Sequence, residues 1–501
     1  MGTFILTLPM DTTTRDRNIL NKRFEISRQI YNSLLGMALK RYKELIKTKA
    51  YRECVEQIKM VNNSSMAAGD KAKAKKAYND KLLSMNKEYK LTKSALEKDV
   101  KPMQNHFKMH IDSASAQKLA FRVLTAVNKM LYSSGRKLHF KKYGQLNSVE
   151  GKQNVCIYYS GGCIQWKGLK IPVKINNNNV YEQMCLSNRV KYVRIVRKTI
   201  KNKTKFYAQL VLEGVPPAKY NPDGTFRHKL GIGRVGIDPG TSTMAVASPN
   251  QVRIFELAKN VQSIDHKLKL YQRKLARSRR YTNPDNYNSD GTIKKGIKLT
   301  WNRSNNYLRT LAKIQDLHRR SSDERKQQHE ILANEIISYG NEFYIEKMNY
   351  KALQKRSKET KTNAKGKYIS KKRFGKSLAN RAPAMFVSIL KQKLSNHGIV
   401  LNYINTVKAR ASQYNHVSES YIKKELSDRW VYIGEDLLQR DLYSAFLIQN
   451  INSDLCSFNK ELLETQYSEF KNNHDQEIQK LITDNNTLSS VGIKIYKKLT
   501  A

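Results

Sequence analysis

Acidic residues are scarce in this sequence: 42 Asp and Glu face 92 Lys and Arg across 501 residues, leaving a formal charge of +50. So large an excess of one sign repels itself unless a polyanion neutralises it, which makes a large nucleic-acid partner the economical reading. Codon bias toward Lys, Asn and Ile does not account for it, because the same bias raises Glu. Paired cysteines are missing too. Cys54, Cys156, Cys163, Cys185 and Cys456 are scattered and no C-x-x-C occurs, so neither a disulfide framework nor a zinc site is encoded and a reducing cytoplasm is expected. Long apolar runs are also lacking. The opening TFILTLPM is too short for a signal-peptide core and has no basic flank ahead of it, so a soluble protein with no membrane partner is expected. The apolar fraction of 40% still supplies ordinary cores, and the length allows more than one domain.

What is present is ordered by composition along the chain. Residues 3–10 read as one short strand of poor alternation, closed by Pro9. Ile26, Ile30, Leu34 and Met37, flanked by Phe24, Tyr31, Leu35 and Ala38, make one apolar stripe on a long helix. A Lys-rich, helix-prone region follows from 48 to 110, and Leu119, Val123, Val127 and Met130 mark another helix. Between about 137 and 215 the runs CIYYS, CIQWKGLKIPVKI, YVRIVRKTI and KFYAQLVLEGV predict a compact antiparallel barrel or sandwich. Its turn IKNKTK suits a phosphate-gripping surface or a solvated hairpin tip. The stretch 216–229, PPAKYNPDGTFRHK, reads as a linker. Beyond it the predicted strands are 233–238, 243–248, 252–257, one centred on Ile345, and 399–404, with helices reaching to about 338 and a further helix near 384–396. That order is the one expected of a ribonuclease-H-like sheet.

Three acids end elements of this half. Asp238 follows a strand and precedes Pro239-Gly240; alone it is a turn former. Glu346 closes the strand Phe343-Tyr344-Ile345, and alone it is a solvated terminal charge. Asp441 lies in the first turn of a helix in QRDLYSAFLIQNI, where a dipole-favoured acid is common. Together, in this topological order, they suit a site for two Mg²⁺ (or Mn²⁺) ions roughly 4 Å apart in phosphodiester hydrolysis. Oxygen ligands without a Cys or His array disfavour zinc.

GIDPGTSTMAVAS, FYIEKMNYKAL and QRDLYSAFLI resemble the three RuvC motifs of the transposon-encoded TnpB proteins and of their descendants, the miniature type V CRISPR effectors. The resemblance covers nearly the whole chain. It implies a multidomain α+β protein with a helical recognition domain (15–136), a β-barrel wedge domain (1–14 and 137–229) and a RuvC nuclease domain (230–411, with a lid at 350–383, and 439–501). It further implies that Asp238, Glu346 and Asp441 are the metal ligands, that Arg440 supports the third motif, and that the activity is RNA-guided cleavage of double-stranded DNA beside a short flanking motif. A homodimer on one guide is compatible with the family. Where the family typically carries a four-cysteine zinc ribbon, this chain reads KARASQYNHVSESYIKKELSDRWVYIGEDLLQRD without a cysteine. His416 is the sole possible ligand, so no zinc is expected, and packing by Tyr414, Tyr421, Trp430 and Tyr432 is expected to hold the segment 412–438. Lys423, Lys424 and Arg429 are its expected nucleic-acid contacts.

Two further basic stretches suit nucleic acid. KLKLYQRKLARSRRYTN puts Lys267, Lys269, Arg273, Lys274, Arg277, Arg279 and Arg280 on a helix with Tyr271 and Tyr281 among them, phosphate contacts interleaved with rings for stacking. The segment after Glu346, including Lys371, Lys372 and Arg373, has a single acid, Glu359, and reads as a lid that orders on binding or as a disordered basic loop. The tail beyond about 455 suggests helices and no function. The alternatives to a guided nuclease are a guided DNA-binding repressor that does not cleave and an unguided structure-specific nuclease.

Overall fold

The computed structural model describes all residues except 1, 133, 134, 136, 364, 365, 370, 372, 373, 426, 427, 485–488, 495 and 497–501. The chain divides into two compact units, Met1–Ala218 and Lys219–Ala501.

In the first unit, β1 (Thr3–Pro9) alternates strictly, with Phe4, Leu6 and Leu8 inside and Thr3, Ile5, Thr7 and Pro9 outside. The run FIL hides that period in the sequence, because Ile5 sits on the outer face, 51% exposed. Helix α1 (Thr14–Leu45) opens on a capping box in which Thr13 and Asp16 exchange side-chain and backbone bonds. It is followed by α2 (Lys49–Asn63), α3 (Ala68–Glu88), α4 (Lys93–His106) and α5 (Ser113–Leu131). The strands β2 (Ser148–Glu150), β3 (Ile157–Ser160), β4 (Cys163–Trp166) and β5 (Leu169–Pro172) precede the short helix α6 (Val180–Leu186) and the long hairpin β6 (Val190–Ile200) and β7 (Lys203–Glu213). Lys201 and Asn202 at the hairpin tip both have positive φ, the geometry of a tight two-residue turn. The strands form two antiparallel ladders, ordered β1-β7-β6-β2 and β3-β4-β5, and a bridge between Met10 and Val173 joins the end of β1 to the end of β5. Strands β2 to β5 are only three or four residues long. Helices and sheets share one core, in which Phe24 of α1 meets Phe206 of β7 edge-on at 5.8 Å.

The second unit is built on a mixed sheet of β8 (Arg234–Pro239), β9 (Thr243–Ser248), β10 (Gln251–Glu256), β11 (Glu342–Ile345) and β12 (Leu401–Tyr403), in the order β10-β9-β8-β11-β12. The first three strands are antiparallel neighbours, and β11 and β12 join parallel. Helices α7 (Asp265–Thr282) and α8 (Asn305–Ile337) lie between β10 and β11; α9 (Tyr350–Leu353), α10 (Gly375–Arg381) and α11 (Pro383–Asn396) lie between β11 and β12. After β12 come α12 (Thr406–Ala409), the small hairpins β13 (Tyr414–Asn415) with β14 (Ser420–Tyr421) and β15 (Trp430–Ile433) with β16 (Asp436–Gln439), then α13 (Arg440–Gln449) and α14 (Lys460–Thr483).

Strand parity decides which helices cover which face. Val235, Ile237, Met244, Val246, Phe343 and Ile345 pack with α8 and α11. The opposite parity carries Ala245 and Ala247, which pack with α13 and α14. Gly236 faces Ala247 across the ladder and Tyr344 on the parallel side, so it shares this second face. A Cβ at Gly236 would overlap the Ala445 carbonyl oxygen and the Gln449 backbone nitrogen. The small residues therefore let α13 lie with its backbone directly on β8. Gly236→Ala is expected to lower stability by about 1–3 kcal/mol or more, the scale of forced overpacking, seen as a lower midpoint in chemical denaturation. An unchanged midpoint would mean that the helix is free to move away.

Candidate active site

The same parity that seats α13 places the acids. Asp238 pairs with Ala245 and lies two residues from Gly236, so it faces α13. Glu346 lies two residues beyond Tyr344, and its N–H donates to the Ile237 carbonyl at 3.2 Å, which extends the parallel ladder and fixes Glu346 beside Asp238 on that face. Asp238 itself is held at a tight turn closed by the Gly240 N–H donating to the Thr243 carbonyl at 2.9 Å. Asp441 arrives from above, in the first turn of α13, whose N-cap Gln439 accepts a bond from the Leu442 N–H at 2.8 Å. All three acids are half-buried.

Their charges interact. Burial raises the Asp238 carboxyl well above the usual range, Glu346 and then Asp441 push it further the same way, and only Arg440 opposes them. Burial also raises the Glu346 carboxyl. Asp441 is instead drawn to guanidinium groups: Arg440 approaches its Oδ1 at 3.3 Å through Nη2, and Arg429 its Oδ2 at 3.7 Å. Arg440 also donates to the Glu425 carbonyl at 3.1 Å. As the side chains stand, no group of three His, Cys, Asp or Glu residues among the described residues is close enough to hold a metal ion. The donor set nevertheless fits a hard divalent cation, since it is all oxygen and sets Glu346 where its charge raises the proton affinity of Asp238.

Arg429, expected on the nucleic-acid surface, thus reaches the third carboxylate. Lys423 is exposed. Lys424 buries its Nζ without a hydrogen-bond acceptor among the described residues, and burial and then Arg440 push its pKa down. A residue that the sequence did not single out, Tyr350, has a buried hydroxyl without a hydrogen-bond partner among the described residues, its ionisation pushed up by burial and then by Asp238. Only its position four residues after Glu346 could have drawn attention to it.

On α7, Lys267, Lys269, Arg273, Lys274, Arg277 and Arg280 are exposed, and Tyr271 and Arg279 are half-buried. Two of these hold their own loop: Arg279 donates to the Tyr287 hydroxyl at 2.9 Å and lies over Trp301, and Arg280 donates to the Gly291 carbonyl at 3.2 Å and lies over Tyr287. Lys371 is exposed, and Lys372 and Arg373 lie outside the described residues.

The segment expected to stand in for a zinc ribbon is held by packing, with one correction. Tyr414 stacks on Phe458 at 4.9 Å, Tyr421 meets Tyr414 at 5.0 Å, and Trp430 meets Tyr496 at 4.5 Å while donating to the Gly492 carbonyl at 2.9 Å. Tyr432 does not join them. It is 63% exposed because strand alternation turns Val431 and Ile433 inward. His416 is a core residue, its Nδ1 bonded to the Tyr443 hydroxyl at 2.8 Å.

No protein-family model matches the chain, and no curated protein matches it. Among solved structures, the chain is similar to the protein of a Cas12f1–sgRNA–target DNA complex, with 12% identity over 90% of this chain and 99% of that one and a TM-score of 0.39. It is also similar to the protein of a CRISPR-Cas12f ternary complex, with 14% identity over 88% and 86% of the two chains and a TM-score of 0.21. No helix among the described residues is long and apolar enough to cross a membrane.

The raised carboxyl at Asp238 has a sign for stability. A folded pKa above the unfolded one means that the folded state holds the proton more tightly, so stability is present below the unfolded value and lost as pH rises through the folded value. In chelator, Asp238→Asn should therefore melt a few degrees higher than the parent at pH 8, and the gap should close toward pH 4. Equal melting temperatures at pH 8 would show that the charge is not felt.

Proposed function

We propose that this chain is an RNA-guided DNA endonuclease that hydrolyses phosphodiester bonds with two Mg²⁺ or Mn²⁺ ions at Asp238, Glu346 and Asp441. The observation that carries the nuclease half is the shared face: β8, β11 and α13 bring three acids from distant parts of the chain to one end of a sheet ordered as a ribonuclease-H-like sheet would be. Cations bound there would neutralise the scissile phosphate and make water nucleophilic at neutral pH. The chain's own residues supply the rest. Asp238 and Glu346 present charge from rigid strand ends. Arg440 and Arg429 hold Asp441 until a cation competes for it, which leaves two guanidinium groups beside the site to meet a phosphate.

The guided half rests on the motif resemblance and on charge. The excess of +50 is far more than one active site needs. The exposed cations of α7 form a row suited to a phosphate backbone. Co-purification from the natural host followed by sequencing of bound RNA separates a guided protein from an unguided nuclease. Cleavage of a matching plasmid separates a nuclease from a repressor that only binds.

With guide and target supplied, Asp238→Ala should slow cleavage by at least about a hundredfold, the scale of losing one electrostatic stabiliser of a transition state, with RNA affinity within twofold of the parent. Normal cutting by that variant would overturn the assignment. Replacing Arg273, Lys274 and Arg277 together by Ala should weaken RNA binding and flatten its log–log salt dependence by up to about 0.7–0.9 for each phosphate no longer neutralised. An unchanged slope would remove α7 from the interface.

A further inference from the structure

Helix α13 begins on Gln439, a poor N-cap by residue type, and its geometry has an unusual completion. In a capping box the third residue of the helix returns a bond to the cap's own N–H, a role for Glu or Gln. Here that residue is Leu442, which has no acceptor to return. The Gln439 N–H donates instead to Nε2 of His474, on α14, at 2.9 Å, and both side chains are fully buried. Because the backbone N–H can only donate, Nε2 must be the acceptor, so the ring carries its proton on Nδ1 and donates it to Asp475 at 2.8 Å.

The support is built along one face of α14. Tyr467 donates to Asp436 at 2.7 Å, Lys471 pairs with Asp436 at 3.6 Å and also with Asp475, and His474 takes Gln439. Tyr467, Lys471 and His474 are spaced at helical steps of four and three, so a single face follows β16 from its first residue to its last. Phe470 stacks on Phe446 of α13 at 4.2 Å, and Trp430 meets the His474 ring edge-on. The charged groups around the imidazole are thus Asp475, Lys471 and Asp436, and burial outweighs them in holding the ring neutral.

From this geometry we infer that His474 is a positioning residue for the third carboxylate: it completes the cap of α13 from outside the helix and so fixes Asp441, two residues beyond Gln439, over Asp238 and Glu346. The C-terminal helix is on this account part of the active-site frame. The inference rests on the proposed nuclease reading for its catalytic consequence, but not for its structural one.

The test compares two polar replacements in the full-length protein. His474→Gln keeps an acceptor near the Nε2 position, whereas His474→Asn reaches only as far as Nδ1. The Gln variant should cut within about threefold of the parent, and the Asn variant should lose at least about thirtyfold while binding guide RNA equally. Amide hydrogen exchange, measured without metal or nucleic acid, should rise at residues 439–442 in the Asn variant alone. Equal behaviour of the two variants, in both cutting and exchange, would overturn the inference. If the parent cuts no guided DNA, the proposed function fails, while the exchange comparison still decides whether His474 holds the cap.

Discussion

Helix α13 lies on β8 with backbone against backbone, at Gly236, where a single added carbon would collide with Ala445 and Gln449. Ala245 and Ala247 on the neighbouring strand keep the same face low. Because Asp238 and Glu346 project from that face, the closeness of the helix sets the distance of Asp441 from them. A larger residue at Gly236 would lift the whole helix and separate the acids, although none of them had been touched. The small-residue face and the carboxylates are two consequences of one strand parity.

Bringing three acids to one half-buried place is electrostatically unfavourable, and the surroundings show how the fold tolerates it. Arg440 and Arg429 neutralise Asp441. Asp238 and Glu346 respond to burial by holding protons more strongly. This division leaves the strand pair protonated more readily than free carboxyls, with the third acid tied to two guanidinium groups. In a protein with more than two basic residues for every acidic one, acids placed side by side against their own repulsion point to chemistry more than to stability.

Much of this was legible in the sequence because it is local. The strands around Asp238 and Ile345, the helix near 384–396 and the helix that begins beside Asp441 follow from short apolar runs and their ends, and they lie where those signals put them. What escaped depends on residues far apart in the chain. Gly236 reads as any strand glycine until α13 is seated on it. Arg429 reads as a surface cation until β15 and β16 turn it toward Asp441. Tyr432 reads as one more packing aromatic, but alternation within a four-residue strand turns it to solvent.

The cysteine-free segment 412–438 depends on the same long-range packing. The described residues of 412–441 are tied by their side chains to the chain that follows them. Tyr414 leans on Phe458, Trp430 on Gly492 and Tyr496, His416 on Tyr443 and Tyr467, and Gln439 on His474 and the Val491 carbonyl. The tail that looks featureless in sequence therefore anchors both this segment and the helix bearing Asp441. Such an anchor makes the third acid dependent on the integrity of α14. Loosening α14 would disturb the N-terminus of α13 through Gln439 and the edge strand β10 through Glu477, which accepts from the Ile254 N–H at 3.0 Å.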